Sequence, residues 1–279
     1  MAITAQEVNE LRTKTGAGMM DCKKALQEAN GDFEAAVAIL RKKGQKVSES
    51  RQDKQAKEGA IFSYIAENKK VGVMLELNCE TDFVARNDDF QQLGNQILEV
   101  AAKQLPESVE VLKTLKVENQ TVGELLIQMI GKVGEKIDVS KYSLLKGDSV
   151  VSYIHPGARV GVLVAFTNVN GADIQAIGKN VAMQVASMKP IALDKDGVDA
   201  STMEKEMEIA RDLARQEGKP EAMIEKIAQG KLNKFYKENT LLNQDFIKDS
   251  SKTIKDYLNQ AQKGLTVTAF KRMHLGSED

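Results

Sequence analysis

The chain is poor in the residues that make many kinds of site. Its 279 residues include two cysteines and two histidines. Cys22 and Cys79 form no CxxC pair, and no histidines stand at ligand spacing, which disfavours a zinc site and leaves both thiols expected reduced. Cys79 reads either as a reactive thiol or as a small half-buried residue at a strand end. Excess charge of one sign is missing too: Lys plus Arg number 39 against 40 Asp plus Glu, a net charge of −1. Without a global basic field, binding to nucleic acid through its phosphates is disfavoured. No window approaches the ~20 apolar residues of a membrane span. The start, Met-Ala-Ile-Thr-Ala-Gln-Glu, has neither the basic nor the apolar region of a secretory leader, so a cytoplasmic location is expected. A phosphate loop needs Gly, four residues, then Gly-Lys-Ser/Thr; neither Gly16 to Gly18 nor Gly131 to Lys136 supplies it.

What is present is an internal duplication. Ser63-Tyr64-Ile65, Val71-Gly72-Val73 and Leu93-Gly94-Asn95 return as Ser152-Tyr153-Ile154, Val160-Gly161-Val162 and Ile177-Gly178-Lys179. Tyr64 to Tyr153 and Gly72 to Gly161 are both steps of 89 (153 − 64, 161 − 72), but Gly94 to Gly178 is only 84 (178 − 94). Five extra residues therefore lie between the second strand and the next helix of the first copy, within Asn78 to Asp89. An insertion in one of two like copies marks what that copy does alone. Each copy reads strand, strand, helix, spacer, helix, strand, and the second holds a further 48-residue insertion between Ala186 and Thr253.

That second insertion reads as a helical hairpin. Ser201 and Glu204 suggest a capping box, with Met203, Met207, Ala210 and Ala214 at helical spacing; Gly218-Lys219-Pro220 breaks the run, and Met223, Ile227, Ala228, Leu232 and Phe235 restart it. Helices of about 16 residues would project about 24 Å. An arm of that length suits contact with another chain or a second copy, or serves only as a stabilising pair.

Residues 1 to 45 carry three helical patterns: a Thr4/Glu7 capping box ahead of Val8 and Leu11, Met19 to Ala29, and a third run capped by Asp32 and stopped by Gly44. The charged stretch 46–58 reads as a solvated linker or an exposed helix. The fold class is α+β: a three-helix domain (1–45), a linker (46–58), core subdomain 1 (59–147) and core subdomain 2 (148–279) with a hairpin at 199–239.

The first insertion contains Thr81-Asp82-Phe83-Val84. Phe83 is either an apolar projection or a satellite core residue under a loop. Asp88-Asp89 before Phe90 reads as the N-cap of a helix over Phe90 to Ala102, in preference to a metal cluster with Glu80 and Asp82. Glu76 and Glu80 have no nucleophile or oxyanion donors beside them to make an acid/base pair.

Leu11-Arg12, Thr15 to Asp21 and Lys23-Lys24-Ala25-Leu26, together with Glu76 to Arg86, resemble the two signatures of the elongation factor Ts family, and the resemblance extends over the duplicated core, the hairpin and the ending near Phe270. The resemblance implies a ubiquitin-associated-like N-terminal domain, a coiled-coil protrusion, and a cytosolic nucleotide exchange factor for the GTPase elongation factor Tu. It implies no enzyme activity, cofactor or metal of its own. Thr81, Asp82, Phe83 and Val84 would enter the partner and dislodge its magnesium ion. Arg12, Met19 and Met20 match positions that touch the same domain, and His155 matches a core position near the partner, although the Pro156 that follows departs from the family pattern. Homodimerisation through hairpin or core is left open. Two other classes compete: an adaptor that binds without driving exchange, and an enzyme using the Glu76 to Asp89 acidic loop on a metal.

Overall fold

A computed structural model describes residues 3–171 and 173–277. Helix α1 (Ala5–Thr15) starts at Thr4, whose hydroxyl accepts from the Glu7 amide while the Glu7 carboxylate accepts from the Thr4 amide, and ends where Gly16 takes the left-handed conformation. Helix α2 (Met19–Glu28) and helix α3 (Phe33–Ser50) close on it around Val8, Leu11, Cys22, Ala25, Leu26 and Ala36.

Gly44 does not stop the third helix. Glycine inside a helix costs about 1 kcal/mol, but here it permits contact with a second helix further along the chain, described below. The stretch expected as linker from residue 46 is helical to Ser50 and turns over 51–54 before the first strand.

The core is built twice. Strands β1 (Glu58–Ile65) and β2 (Val71–Cys79) pair antiparallel, followed by helices α4 (Asp82–Ala85), α5 (Asp88–Gln104) and α6 (Val109–Thr114), the short strands β3 (Lys116–Val117) and β4 (Gln120–Thr121), helix α7 (Val122–Val133) and strand β5 (Asp138–Lys146). The first sheet has the order β1-β2-β5. The second half repeats it with β6 (Ser149–Ile154), β7 (Val160–Thr167), α8 (Ile174–Met188), helices α9 (Ala200–Gln216) and α10 (Glu221–Asn239), strands β8 (Asp245–Phe246) and β9 (Asp249–Thr253), α11 (Ile254–Ala261) and β10 (Thr266–His274). Its sheet has β7 in the middle, between β6 and β10. The architecture is mixed helix and sheet of the α+β class.

Alternation along the strands gives each sheet two apolar faces. One face packs on helices: Ala60, Phe62, Val73 and Leu75 with Phe90, Leu93 and Ile97 in the first half, and Val151, Val162, Val164 and Phe166 with Ile174, Val181 and Val185 in the second. The other faces meet each other through Ile61, Met74, Leu145, Val150, Leu163, Ala165, Met273 and Leu275. The repeated glycines sit at this seam. A Cβ on Gly72 would come within 2.7 Å of Val150 and also crowd Leu163; one on Gly161 would come within 2.6 Å of Ile61 and 2.7 Å of Met74. Val150 and Leu163 are the sisters of Ile61 and Met74, so the two halves face each other about an approximate two-fold.

Helix α7 carries the N-terminal helices. A Cβ on Gly131 would lie 3.0 Å from the Gly44 Cα, and one on Gly44 would lie 3.1 Å from the Ile127 carbonyl, so α3 and α7 cross backbone to backbone. Gln128 donates to the Thr15 carbonyl across the same seam (2.6 Å).

In the hairpin, the α9 cap is Asp199 and not Ser201. Its carboxylate accepts from the Thr202 amide (2.8 Å), the Thr202 hydroxyl (2.6 Å) and the Ser201 hydroxyl (2.7 Å). Ala210 and Ala214 face Ile224, Ala228 and Leu232, with Tyr236 at the base; the inward stripe of α10 thus runs through Ile224 and leaves Met223 half exposed.

Candidate functional site

The first-copy insertion folds into α4, a single helical turn. Phe83 stands on it with 83% of its surface exposed, the most of any large apolar side chain among the described residues. That excludes the satellite-core reading of Phe83. Its neighbours anchor the turn: Ala85 is buried, and Val84 packs against the core of the first half. One side of the turn is fixed to the protein and its aromatic is presented outward.

Thr81 holds the turn. Its hydroxyl donates to Glu135 Oε1 (2.7 Å) and its amide to Glu135 Oε2 (3.0 Å), so one carboxylate takes both donors. The same hydroxyl oxygen accepts from the Val84 amide (3.4 Å) as the cap of α4. Glu80 accepts from the Lys136 amide (2.7 Å) and pairs with Arg51 (3.4 Å). Behind them the Cys79 thiol donates to the Thr81 carbonyl (3.0 Å). Burial, helped by the nearby Glu135 carboxylate, pushes that thiol up to about 12, so at neutral pH it stays protonated and is no reactive nucleophile. Asp82 forms only a surface pair with Arg86 (2.9 Å), too exposed to be worth much.

The acidic residues of the loop do not converge. Glu76 is buried, Glu80 is spent on Lys136 and Arg51, Asp82 on Arg86, and Asp89 on Lys132. No group of three or more His, Cys, Asp or Glu among the described residues is placed to hold a metal. The cap of α5 is Asn87, which accepts from the Asp89 amide (2.8 Å), and Asp88 and Asp89 fall in its first turn instead of capping it. Negative charge is favourable there for the same dipolar reason.

Met19 and Met20 open α2 and are 54% and 62% exposed; Arg12 is exposed in the last turn of α1. The turn between α1 and α2 lies beside α7: a Cβ on Gly16 would come 3.4 Å from the Lys132 side chain, whose ammonium bonds Asp89 at the start of α5. His155 lies exposed in the β6–β7 turn, its Nδ1 2.9 Å from the Tyr153 hydroxyl. The same turn is tied to β1, with the Ala158 carbonyl accepting from the Ile61 amide (2.9 Å) and Arg159 pairing with Glu58, which lies opposite Cys79 in the sheet. The His155 turn and α4 therefore flank one end of the first sheet.

The family described as Elongation factor TS matches residues 80–277. A protein of Amoebophilus asiaticus called elongation factor Ts is 51% identical over 277 residues, covering 99% of this chain and 100% of the relative. Another of that name from Cytophaga hutchinsonii is 53% identical over 274 residues, 98% and 99% of the two chains. One from Porphyromonas gingivalis is 43% identical over 279 residues, all of both.

The chain belongs to the elongation factor Ts family. It is a translation elongation factor, and no helix among its described residues is long and apolar enough to cross a membrane.

Sequence reading missed Glu135, which holds Thr81 from 54 positions away, and Lys136, which holds Glu80 from 56. Neither belongs to the Glu76 to Arg86 stretch, and their only local signal is their place just after Gly134, the left-handed end of α7. Lys132 and Gln128, which connect the N-terminal helices to the core, were equally silent.

Proposed function

We propose that this member of the elongation factor Ts family is a guanine nucleotide exchange factor that binds elongation factor Tu in the cytoplasm and promotes GDP release by displacing its magnesium ion, making and breaking no covalent bond. The observation that carries the reading is Phe83, an aromatic ring almost wholly in water on a turn anchored at Thr81, Val84 and Ala85. Such a side chain gains most by entering an apolar crevice of a partner.

A GTPase holds its nucleotide through phosphate-cradling amides and a magnesium ion that offsets phosphate charge, so moving the wall beside the ion weakens the whole site. Phe83 is the wedge. Asp82 brings negative charge and Thr81 fixes the direction of approach, with Val84, half-buried against the core, adding to the partner contact only at its exposed edge. Burying one Phe is worth about 1.5 to 3 kcal/mol, whereas nanomolar nucleotide binding is about 12 kcal/mol. The rest must come from a wide footprint, for which Arg12, Met19, Met20 and His155 are the proposed additional contacts. By linkage, returning nucleotide releases the factor.

To the same proposal belong a ubiquitin-associated-like N-terminal domain, its boundary moved to Ser50 by the length of α3, core subdomains at 59–147 and 148–279, and a coiled-coil role for 199–239. The test is dissociation of labelled GDP from elongation factor Tu. A large acceleration by this chain supports exchange; binding with no change in rate supports an adaptor instead.

A further inference from the structure

Two polar residues of β2, Glu76 and Asn78, are buried, alternating with Leu75, Leu77 and Cys79 and so sharing the face of Met74 that meets the other sheet. Glu76 Oε1 accepts from the Asn78 amide group (2.8 Å) and from the Gly276 backbone amide (2.9 Å). Its Oε2 has no hydrogen-bond partner and stands 3.9 Å from the Lys141 ammonium, which is opposite in register and donates to the Ser277 carbonyl (2.7 Å) and hydroxyl (3.2 Å). A buried carboxylate held this incompletely is unfavourable for folding, because charge is costly to remove from water.

The duplication shows that the architecture does not need it. At the step of 89 the sister of Glu76 is Ala165, and the sister of Asn78 is Thr167. There no carboxylate of the middle strand grips the chain following β5: a Cβ on Gly147 would come 3.0 Å from that of Ala165, and the polar contacts run the other way, with the Asp148 amide donating to the Phe166 carbonyl (3.1 Å) and the Asp148 carboxylate accepting from the Thr167 hydroxyl (2.7 Å). In the first half the chain following β10 passes over β2 and is gripped by the carboxylate. The passing segment is shaped for this: Gly276 has φ 70°, and a Cβ there would lie 2.8 Å from the Lys57 carbonyl. Leu275 donates to the Arg159 carbonyl (2.8 Å), in the turn that carries His155. Three residues beyond Glu76, β2 reaches Cys79 and the bracket around Thr81.

We propose that Glu76 is a positioning residue for the Thr81–Val84 turn: it clasps Gly276 and, through Lys141, Ser277 across β2, so that the second half of the core holds the strand that aims Phe83. This rests on the exchange reading of that turn. A wedge that moves a partner's wall is pushed back by it, and a strand end free to yield would absorb the displacement.

The test uses the full chain with Glu76→Ala, which installs the sister residue, Glu76→Gln, which keeps an acceptor for Gly276, and Gly276→Val, which breaks the clasp from the other side. Two quantities are measured: amide hydrogen exchange of the free chain, and GDP release from elongation factor Tu against chain concentration. Glu76→Ala is expected to raise exchange at the amides of Gly276 and Glu80 to Arg86 about tenfold and lower the maximal release rate about tenfold, the half-saturating concentration staying within about twofold. Gly276→Val should match it, and Glu76→Gln should stay within about threefold of the unaltered chain. An unchanged maximal rate in Glu76→Ala overturns the inference, as does a uniform rise in exchange over both sheets, which would make Glu76 a residue of overall stability. If the unaltered chain does not accelerate release, the exchange reading fails, and the amide arm alone then decides the clasp: localised loss of protection upholds it and none overturns it.

Discussion

Replacing Phe83 with Ala separates function from folding. The ring is 83% exposed, so in the free protein its removal deletes almost no buried surface, and the midpoint of thermal unfolding should move by less than about 1 °C. On the proposed reading the same ring goes from water to an apolar crevice of the partner, a transfer worth about 1.5 to 3 kcal/mol. If that energy is realised while the magnesium site is displaced, its loss appears in the rate of nucleotide release, by a factor between about 10 and about 150. The assay is fluorescent-GDP release from elongation factor Tu under saturating variant, beside calorimetry of the free chain. Acceleration equal to that of the unaltered protein would refute the wedge, and a lowered melting temperature would show that the ring supports the fold after all.

Glu135→Gln replaces a charged acceptor of two Thr81 donors by a neutral one and should slow catalysed release several-fold, at about 1 kcal/mol for the weakened bonds, which titrating release rate against variant concentration would reveal. Gly131→Leu forces a side chain into backbone 3.0 Å away and should undock α3 from α7, costing about 1 to 3 kcal/mol and raising amide exchange along both helices. The Cys79 thiol, buried and pushed up to about 12, should resist a disulfide reagent at pH 8 in the native protein and react once guanidinium unfolds it. The Asp199 carboxyl is held below its ordinary range by the Thr202 hydroxyl, then by the Ser201 hydroxyl and the Thr202 amide. Its folded-state value is depressed, so its contribution to the hairpin is present above about pH 4 and lost as the pH falls below that. Asp199→Ala should therefore reduce amide protection at the start of α9 at pH 7, with the difference shrinking toward acid.

Legibility followed distance along the chain. The Thr4/Glu7 box and the Asp32 cap are signals spanning three residues, and the structure has them where the pattern put them. The repeated Val-Gly-Val segments were readable because the chain holds two copies, and the seam explains why both keep glycine. What failed were choices between close neighbours and anything set by a remote partner. Asp199 and Ser201 both suit a cap, and so do Asn87 and Asp88; which one is used depends on where the preceding chain is fixed. Gly44 looked like a helix stop because nothing nearby shows that Gly131 will press against it. Phe83 was marked by the insertion and by the family resemblance, but a projecting aromatic and a buried one look the same in the residues themselves; its exposure is set by the fold. Glu135 stayed invisible for the same reason as Gly131.

The most direct measurement places a photo-activatable benzoylphenylalanine at position 83 and maps where it attaches on elongation factor Tu in the nucleotide-free complex. Attachment confined to residues bordering the magnesium pocket is the predicted result. A complex that forms normally but attaches at a site remote from the bound nucleotide, or not at all, would contradict the account.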